Sequence, residues 1–164
     1  MKTLYLIRHA KSSWKHPELD DFERPLNRRG RSDAPKMGKI LREKNILPDT
    51  ILSSPANRAA TTARILAELM DYPFENIHYV DQIYEASVQG LYNIIAGIEE
   101  KYVKVMLVGH NPGMTFLANS LANYSITNLP TCGIFAIDLP NHPWKEISED
   151  SGTMQFFEYP KKVK

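Results

Sequence analysis

The sequence predicts an α/β fold: a three-layer sandwich whose mostly parallel central sheet is flanked by helices. Three observations point there. Short apolar runs alternate with stretches of helical periodicity along the 164-residue chain. The run Val103 to Val108 is apolar at nearly every position, the pattern of a central parallel strand buried on both faces. Neither an internal repeat nor a low-complexity linker interrupts the chain, so one domain over 1–164 is expected.

The elements follow in order. Leu4 to Ile7 reads as a buried strand, and Thr50-Ile51-Leu52 as a second, stopped by Ser53-Ser54-Pro55. His78-Tyr79-Val80 is a weaker strand. Gly133 to Leu139 and Thr153 to Tyr159 are late strands, the last alternating enough to be half exposed. Asn57 to Met70 holds Ala63, Leu66 and Met70 on one helical stripe, without proline or glycine. Ser87 caps a helix with Leu91, Ile94, Ile95 and Ile98 on its core face. Asn111-Pro112 reads as a cap followed by a first-position proline, opening a helix with Phe116, Leu117, Ser120 and Leu121. Over Asn27 to Glu43, Pro35 leaves two choices. Either the helix kinks there, or it starts near Ser32 or Asp33 with Pro35 in its first turn.

Composition excludes several classes. With 20 basic and 19 acidic side chains the net charge is +1, without the basic excess of a general nucleic-acid binder. No apolar run approaches the roughly 20 residues that span a bilayer. Arg8 and His9 interrupt the opening apolar segment, so it does not read as a signal peptide. Cys132, the single cysteine, closes no internal disulfide and supplies no cysteine zinc cluster. A soluble, cytoplasmic protein that binds neither nucleic acid nor membrane is expected.

Chemistry collects where strands end. Arg8-His9 follows the first strand, His110 the strongest one, and Arg58 lies at a helix start after Ser53-Ser54-Pro55. In open α/β sheets ligands bind in the crevice beyond the carboxyl ends of the strands. Two arginines and two histidines gathered there suit a dianionic phosphoryl group, through guanidinium forks and the N–H groups of helix N-termini. Taken singly, each residue also has an ordinary role: a histidine closing a strand, or a solvated arginine on a helix.

Taken together, the segments resemble the histidine phosphatase (phosphoglycerate mutase-like) superfamily. Leu6-Ile7-Arg8-His9-Ala10-Lys11-Ser12-Ser13-Trp14 resembles its Arg-His-Gly signature. Pro25-Leu26-Asn27-Arg28-Arg29-Gly30 resembles its first helix entry, and Ser53 to Ala63 its second arginine motif. Leu107-Val108-Gly109-His110-Asn111-Pro112 resembles its second histidine motif. The motifs come in family order. The alanine after His9, the Gly109 to Pro112 segment and the short chain are most similar to the SixA phosphohistidine phosphatases.

The resemblance implies a phosphoglycerate mutase-like fold and a role for each residue. His9 is the expected nucleophile that accepts the phosphoryl group. Arg8, Arg58 and His110 bind the phosphate oxygens with it and stabilise charge in the transition state. Glu85 stands at the position of the family's proton-donating glutamate, where a general acid needs its pKa raised. Its alternative is an acidic group favouring a helix N-terminus. Ser12 and Arg24 are possible substrate contacts, Arg24 alternatively an exposed charge. No metal or other cofactor is called for. His16, His78 and His142 are scattered without metal-ligand spacing. A neutral imidazole near its ordinary pKa is already a competent nucleophile, and its other ring nitrogen is expected to donate to a backbone carbonyl.

Little chain remains to roof the pocket, so an open site is expected, with a phosphohistidine protein as substrate and partner. Two alternatives stay open: a phosphomonoesterase for sugar or other organic phosphates, and a non-catalytic phosphate-binding scaffold. A mutase is disfavoured by chain length and by Lys15 where many mutases carry asparagine. Elsewhere, Cys132 reads as a small packing group, the tail Lys161 to Lys164 as solvated, and Pro140 to Trp144 as a surface loop.

Overall fold

The computed structural model describes residues 1–163. Ten principal elements follow one another: β1 (Lys2–Arg8), α1 (Arg28–Glu43), β2 (Thr50–Ser53), α2 (Asn57–Leu69), β3 (Ile77–Tyr79), α3 (Val88–Ala96), β4 (Lys104–Gly109), α4 (Gly113–Leu121), β5 (Ile134–Leu139) and β6 (Thr153–Glu158). They build one six-stranded sheet in the order β3-β2-β4-β1-β5-β6. The pairs β3–β2, β2–β4 and β4–β1 are parallel, whereas β5 and β6 add antiparallel strands at one side. The sheet is therefore mostly parallel, as expected, with helices on both faces.

Alternation along the strands divides the core. Tyr5 and Ile7 of β1 point to the layer that holds Met37 and Leu41 of α1 and Leu66 of α2. Leu4 and Leu6 point the other way, onto Leu91 and Ile95 of α3 and Leu117 of α4. Val105 to Val108 are fully buried because β4 lies between β2 and β1 with a helical layer on each face. The chain runs outward from β1 to β2 and β3, then returns to insert β4 beside β1. That return puts the carboxyl ends of β1, β4 and β2 next to one another.

Several local expectations are corrected. Helix α1 starts at Arg28, because the Asn27 side chain accepts the Gly30 N–H at 2.8 Å and caps it. Pro35 thus lies inside the helix, where it forgoes one backbone hydrogen bond, rather than in its first turn. Helix α4 begins at Gly113, after a cis Asn111–Pro112 peptide, and Asn111 Oδ1 accepts from both the backbone and the hydroxyl of Thr115. Phe116 on that helix is 56% exposed, its core place taken by Met114. Trp144 is no surface group: it is fully buried, its indole donating to the Tyr102 carbonyl at 2.8 Å. The tail also folds back, with Val163 against the core and Lys162 paired to Glu158; Lys164 lies outside the described residues.

No helix among the described residues is long and apolar enough to cross a membrane.

Candidate active site

Strand β1 delivers Arg8 and His9 to the sheet's carboxyl edge, and β4 beside it delivers His110. The His9 N–H donates to Gly109 O at 3.1 Å, so the strand pairing continues into the site. The two imidazoles lie 5.2 Å apart between ring centres, tilted by 52°. Arg58 comes from the first turn of α2, which starts where β2 ends. Arg8, His9, Arg58 and His110 line one cavity of about 660 Å³.

His9 is 7% exposed, and its Nδ1 lies 2.7 Å from the carbonyl of Ala10. A carbonyl only accepts, so Nδ1 carries the proton and the lone pair is on Nε2. Burial pushes the His9 pKa down to about 3, with the Ala10 bond opposing and His110, Arg58 and Arg8 adding to the depression. The ring is neutral at physiological pH. His110 is neutral for the same reason: burial first, then Arg58, lowers its pKa to about 4.

His110 Nε2 sits 2.7 Å from the Ser54 hydroxyl, which also accepts the Ala56 N–H at 3.2 Å. The hydroxyl can donate to Nε2 or accept from it, which leaves Nδ1 as the other ring nitrogen to be met. That Nδ1, Arg8 Nε and Arg58 Nε are buried without a hydrogen-bond partner among the described residues. An unmet buried donor costs about 1–3 kcal/mol. The side chains that carry these atoms share one cavity wall, and a wall with two guanidinium groups has the chemistry that fits an oxyanion.

Arg58 is further held by the loop before α1. Its Nη1 donates to the Asp21 carbonyl at 2.6 Å and its Nη2 to the Asp21 carboxylate at 2.9 Å. The same carboxylate accepts the Tyr84 hydroxyl at 2.7 Å and pairs with Arg24 at 3.1 Å. The Tyr84 bond first, then Arg58 and Arg24, drives the Asp21 pKa down to about 2.

The possible substrate contacts are both at the cavity. Arg24 is 7% exposed, not a surface charge, and donates to the Ser12 hydroxyl at 2.7 Å and the Ser13 carbonyl at 3.1 Å. Glu85 is placed elsewhere. Its backbone takes a left-handed φ of 60°, its side chain is exposed, and it does not line the cavity. The preceding Tyr84 points inward instead, edge-on to His110 at 5.5 Å.

Four contributors were not legible as such: Asp21, Ser54, Thr62 and Tyr84. Ser54 and Thr62 stand inside a quoted motif, where spacing gives them no visible task. Asp21 lies in a short turn without periodicity. Only the fold of that loop over α2 brings its carboxylate to Arg58.

Comparison with known proteins agrees with this geometry. The model of the histidine phosphatase superfamily (branch 1) matches residues 4–103, more than half of the chain. An uncharacterized chloroplastic protein of Arabidopsis thaliana is 35% identical over 159 residues, covering 92% of this chain and 72% of its own. The protein histidine phosphatase SixA complexed with tungstate superposes with a TM-score of 0.84 at 18% identity, covering 99% of both chains. A candidate SixA phosphohistidine phosphatase of Agrobacterium tumefaciens superposes with a TM-score of 0.80 at 27% identity, over 97% of this chain and 99% of that one. The chain belongs to the histidine phosphatase superfamily and is a phosphatase of SixA-like fold.

Proposed function

We propose that the chain, acting as one cytoplasmic domain, hydrolyses phosphohistidine on a protein through a phosphorylated His9. The His9 Nε2 lone pair attacks phosphorus while the substrate's N–P bond breaks and its electron pair returns to the departing imidazole. That ring leaves neutral when its other nitrogen carries a proton. Arg8, Arg58 and His110 direct N–H groups at the phosphoryl oxygens, where charge is spread in the loose transition state. Water then attacks phosphorus, the P–Nε2 bond breaks, and the pair returns to Nε2. The water proton passes to the released phosphate. Because Nδ1 keeps its proton on Ala10 O throughout, His9 also departs as a neutral imidazole.

One observation favours phosphohistidine over an alkyl phosphate. An alkoxide leaving group needs a carboxylic acid held in its protonated form. Asp33, the carboxylate that lines this cavity, is paired with Arg29 at 3.3 Å, and Asp21 is paired with Arg58 and Arg24. Glu85 is outside. An imidazole leaving group needs no such acid.

Rapid mixing with a ³²P-phosphohistidine protein tests the reading. An acid-labile, base-stable label is expected on the chain, absent from His9→Ala, with turnover exceeding that of alkyl and sugar phosphates. Label on His9→Ala rejects the nucleophile. Faster turnover of sugar phosphates favours a phosphomonoesterase, and phosphate binding without turnover a scaffold.

A further inference from the structure

The cavity has more lining than phosphoryl transfer uses. At about 660 Å³ it is in the size range that encloses whole organic ligands, well beyond one phosphoryl group. Besides Arg8, His9, Arg58 and His110, its wall includes the cations Lys11, Arg29 and Lys161, with Asp33 as the counter-charge of Arg29.

The backbone segments that carry Lys11 and Lys161 are fixed by tight packing. Gly30 lies so close to Lys11 that a Cβ there would stand 2.1 Å from the Lys11 carbonyl oxygen. That oxygen also accepts the Asn27 N–H at 3.0 Å, which joins the loop after β1 to the start of α1. On the other side, Lys36 of α1 donates to the Pro160 carbonyl at 2.9 Å and holds the turn that carries Lys161.

Charge placement on α1 runs against the needs of the helix. A helix N-terminus favours acidic side chains, because the backbone dipole makes it positive. Here the first turn has no acid, and exposed Arg28 and Arg29 open the helix. Arg29 is offset by Asp33 within the helix, whereas Arg28 has no ion pair among the described residues, and an anionic partner gains from both the side chains and the dipole.

The rim adds an aromatic group. Trp14 is 78% exposed, and the Arg24 guanidinium lies 3.6 Å from its ring centre. Through Arg24 it is in line with Asp21 and Arg58. An indole supported from below by a guanidinium and bare on its outer face is the kind of group that anchors protein interfaces. It lines the cavity yet is mostly exposed, so a partner that covers it extends past the mouth, as a protein does and a free phosphate does not.

We propose that Lys11, Arg29, Lys161 and Trp14 form a docking surface for an acidic protein, which presents its phosphohistidine to His9 in the same cavity. This rests on the phosphohistidine reading above.

Two measurements on the intact chain test it. Trp144 is buried, so a change in indole emission on binding reports Trp14. Poly-L-glutamate is expected to shift that emission, to compete with a phosphohistidine protein, and to lose its hold as salt is raised. Silence at low salt, or equal binding of duplex DNA or anionic vesicles, overturns the proposal. In the second measurement, Lys11→Glu with Lys161→Glu is expected to raise KM for the phosphohistidine protein about tenfold at unchanged kcat. Arg28→Glu alone should raise Tm, since an acid suits that helix end. Unchanged KM with phosphohistidine turnover intact rejects the docking surface and leaves the reading standing. Failure to hydrolyse any phosphohistidine protein while poly-L-glutamate still shifts Trp14 rejects the reading instead.

Discussion

The Thr62 hydroxyl links Ala10 to Arg58. It accepts the Ala10 N–H at 2.9 Å and donates to the Arg58 carbonyl at 2.7 Å, and it is fully buried. Ala10 is also the residue whose carbonyl fixes the His9 ring. One side chain on α2 therefore ties the loop carrying the proposed nucleophile to the helix turn carrying Arg58, the proposed phosphate-binding arginine.

Thr62→Val keeps the shape and removes both bonds, leaving the Ala10 N–H buried and unmet. A loss of about 1–3 kcal/mol is expected. A fall in kcat of about tenfold or more should accompany it, because small displacements of a positioned nucleophile are costly. Thr62→Ser, which retains the hydroxyl, should recover most of kcat; urea unfolding and steady-state kinetics check both.

Glu85 separates the position in the chain from the position in space. Its side chain is exposed and outside the cavity, so Glu85→Gln should change phosphohistidine turnover less than twofold. Glu85→Gly should be stabilising by up to about 1 kcal/mol, since glycine accepts the left-handed backbone that a Cβ disfavours. A collapse of kcat in Glu85→Gln would restore it as the acid.

Gly30→Ala places a methyl group 2.1 Å from a backbone oxygen, which no side-chain rotation relieves. A destabilisation of about 1–3 kcal/mol is expected from forced backbone shifts. Because the displaced oxygen belongs to Lys11, two residues from His9, activity should fall even at temperatures where the variant is folded.

Stability should depend on pH through the two imidazoles. Folding lowers the His9 pKa to about 3 and the His110 pKa to about 4, against an ordinary value near 6.5. As pH falls below 6.5 the unfolded chain takes up protons first. Stability is therefore full above that pH and is lost from 6.5 down towards 4, at up to about 1.4 kcal/mol per unit for each histidine. Asp21, held down to about 2, gives up its contribution only at lower pH, below its unfolded value. Urea midpoints between pH 8 and 4.5 check this, and His110→Gln should reduce the slope.

The amino-acid sequence by itself determined the sheet and its covering helices, because strand and helix periodicities are written in neighbouring residues. It also placed Arg8, His9, Arg58 and His110 at strand or helix ends, since a motif on a βα junction carries its position with it. Only the tertiary structure decided which side chains meet. Whether Glu85 or Tyr84 faces His110 turns on one left-handed residue. Whether Asp21 reaches Arg58 turns on how the loop before α1 lies over α2. Arg24 and Trp144 are polar-rimmed or loop residues by sequence, and buried because distant segments close over them. Contacts of that kind depend on strand order and loop path, which local patterns do not encode.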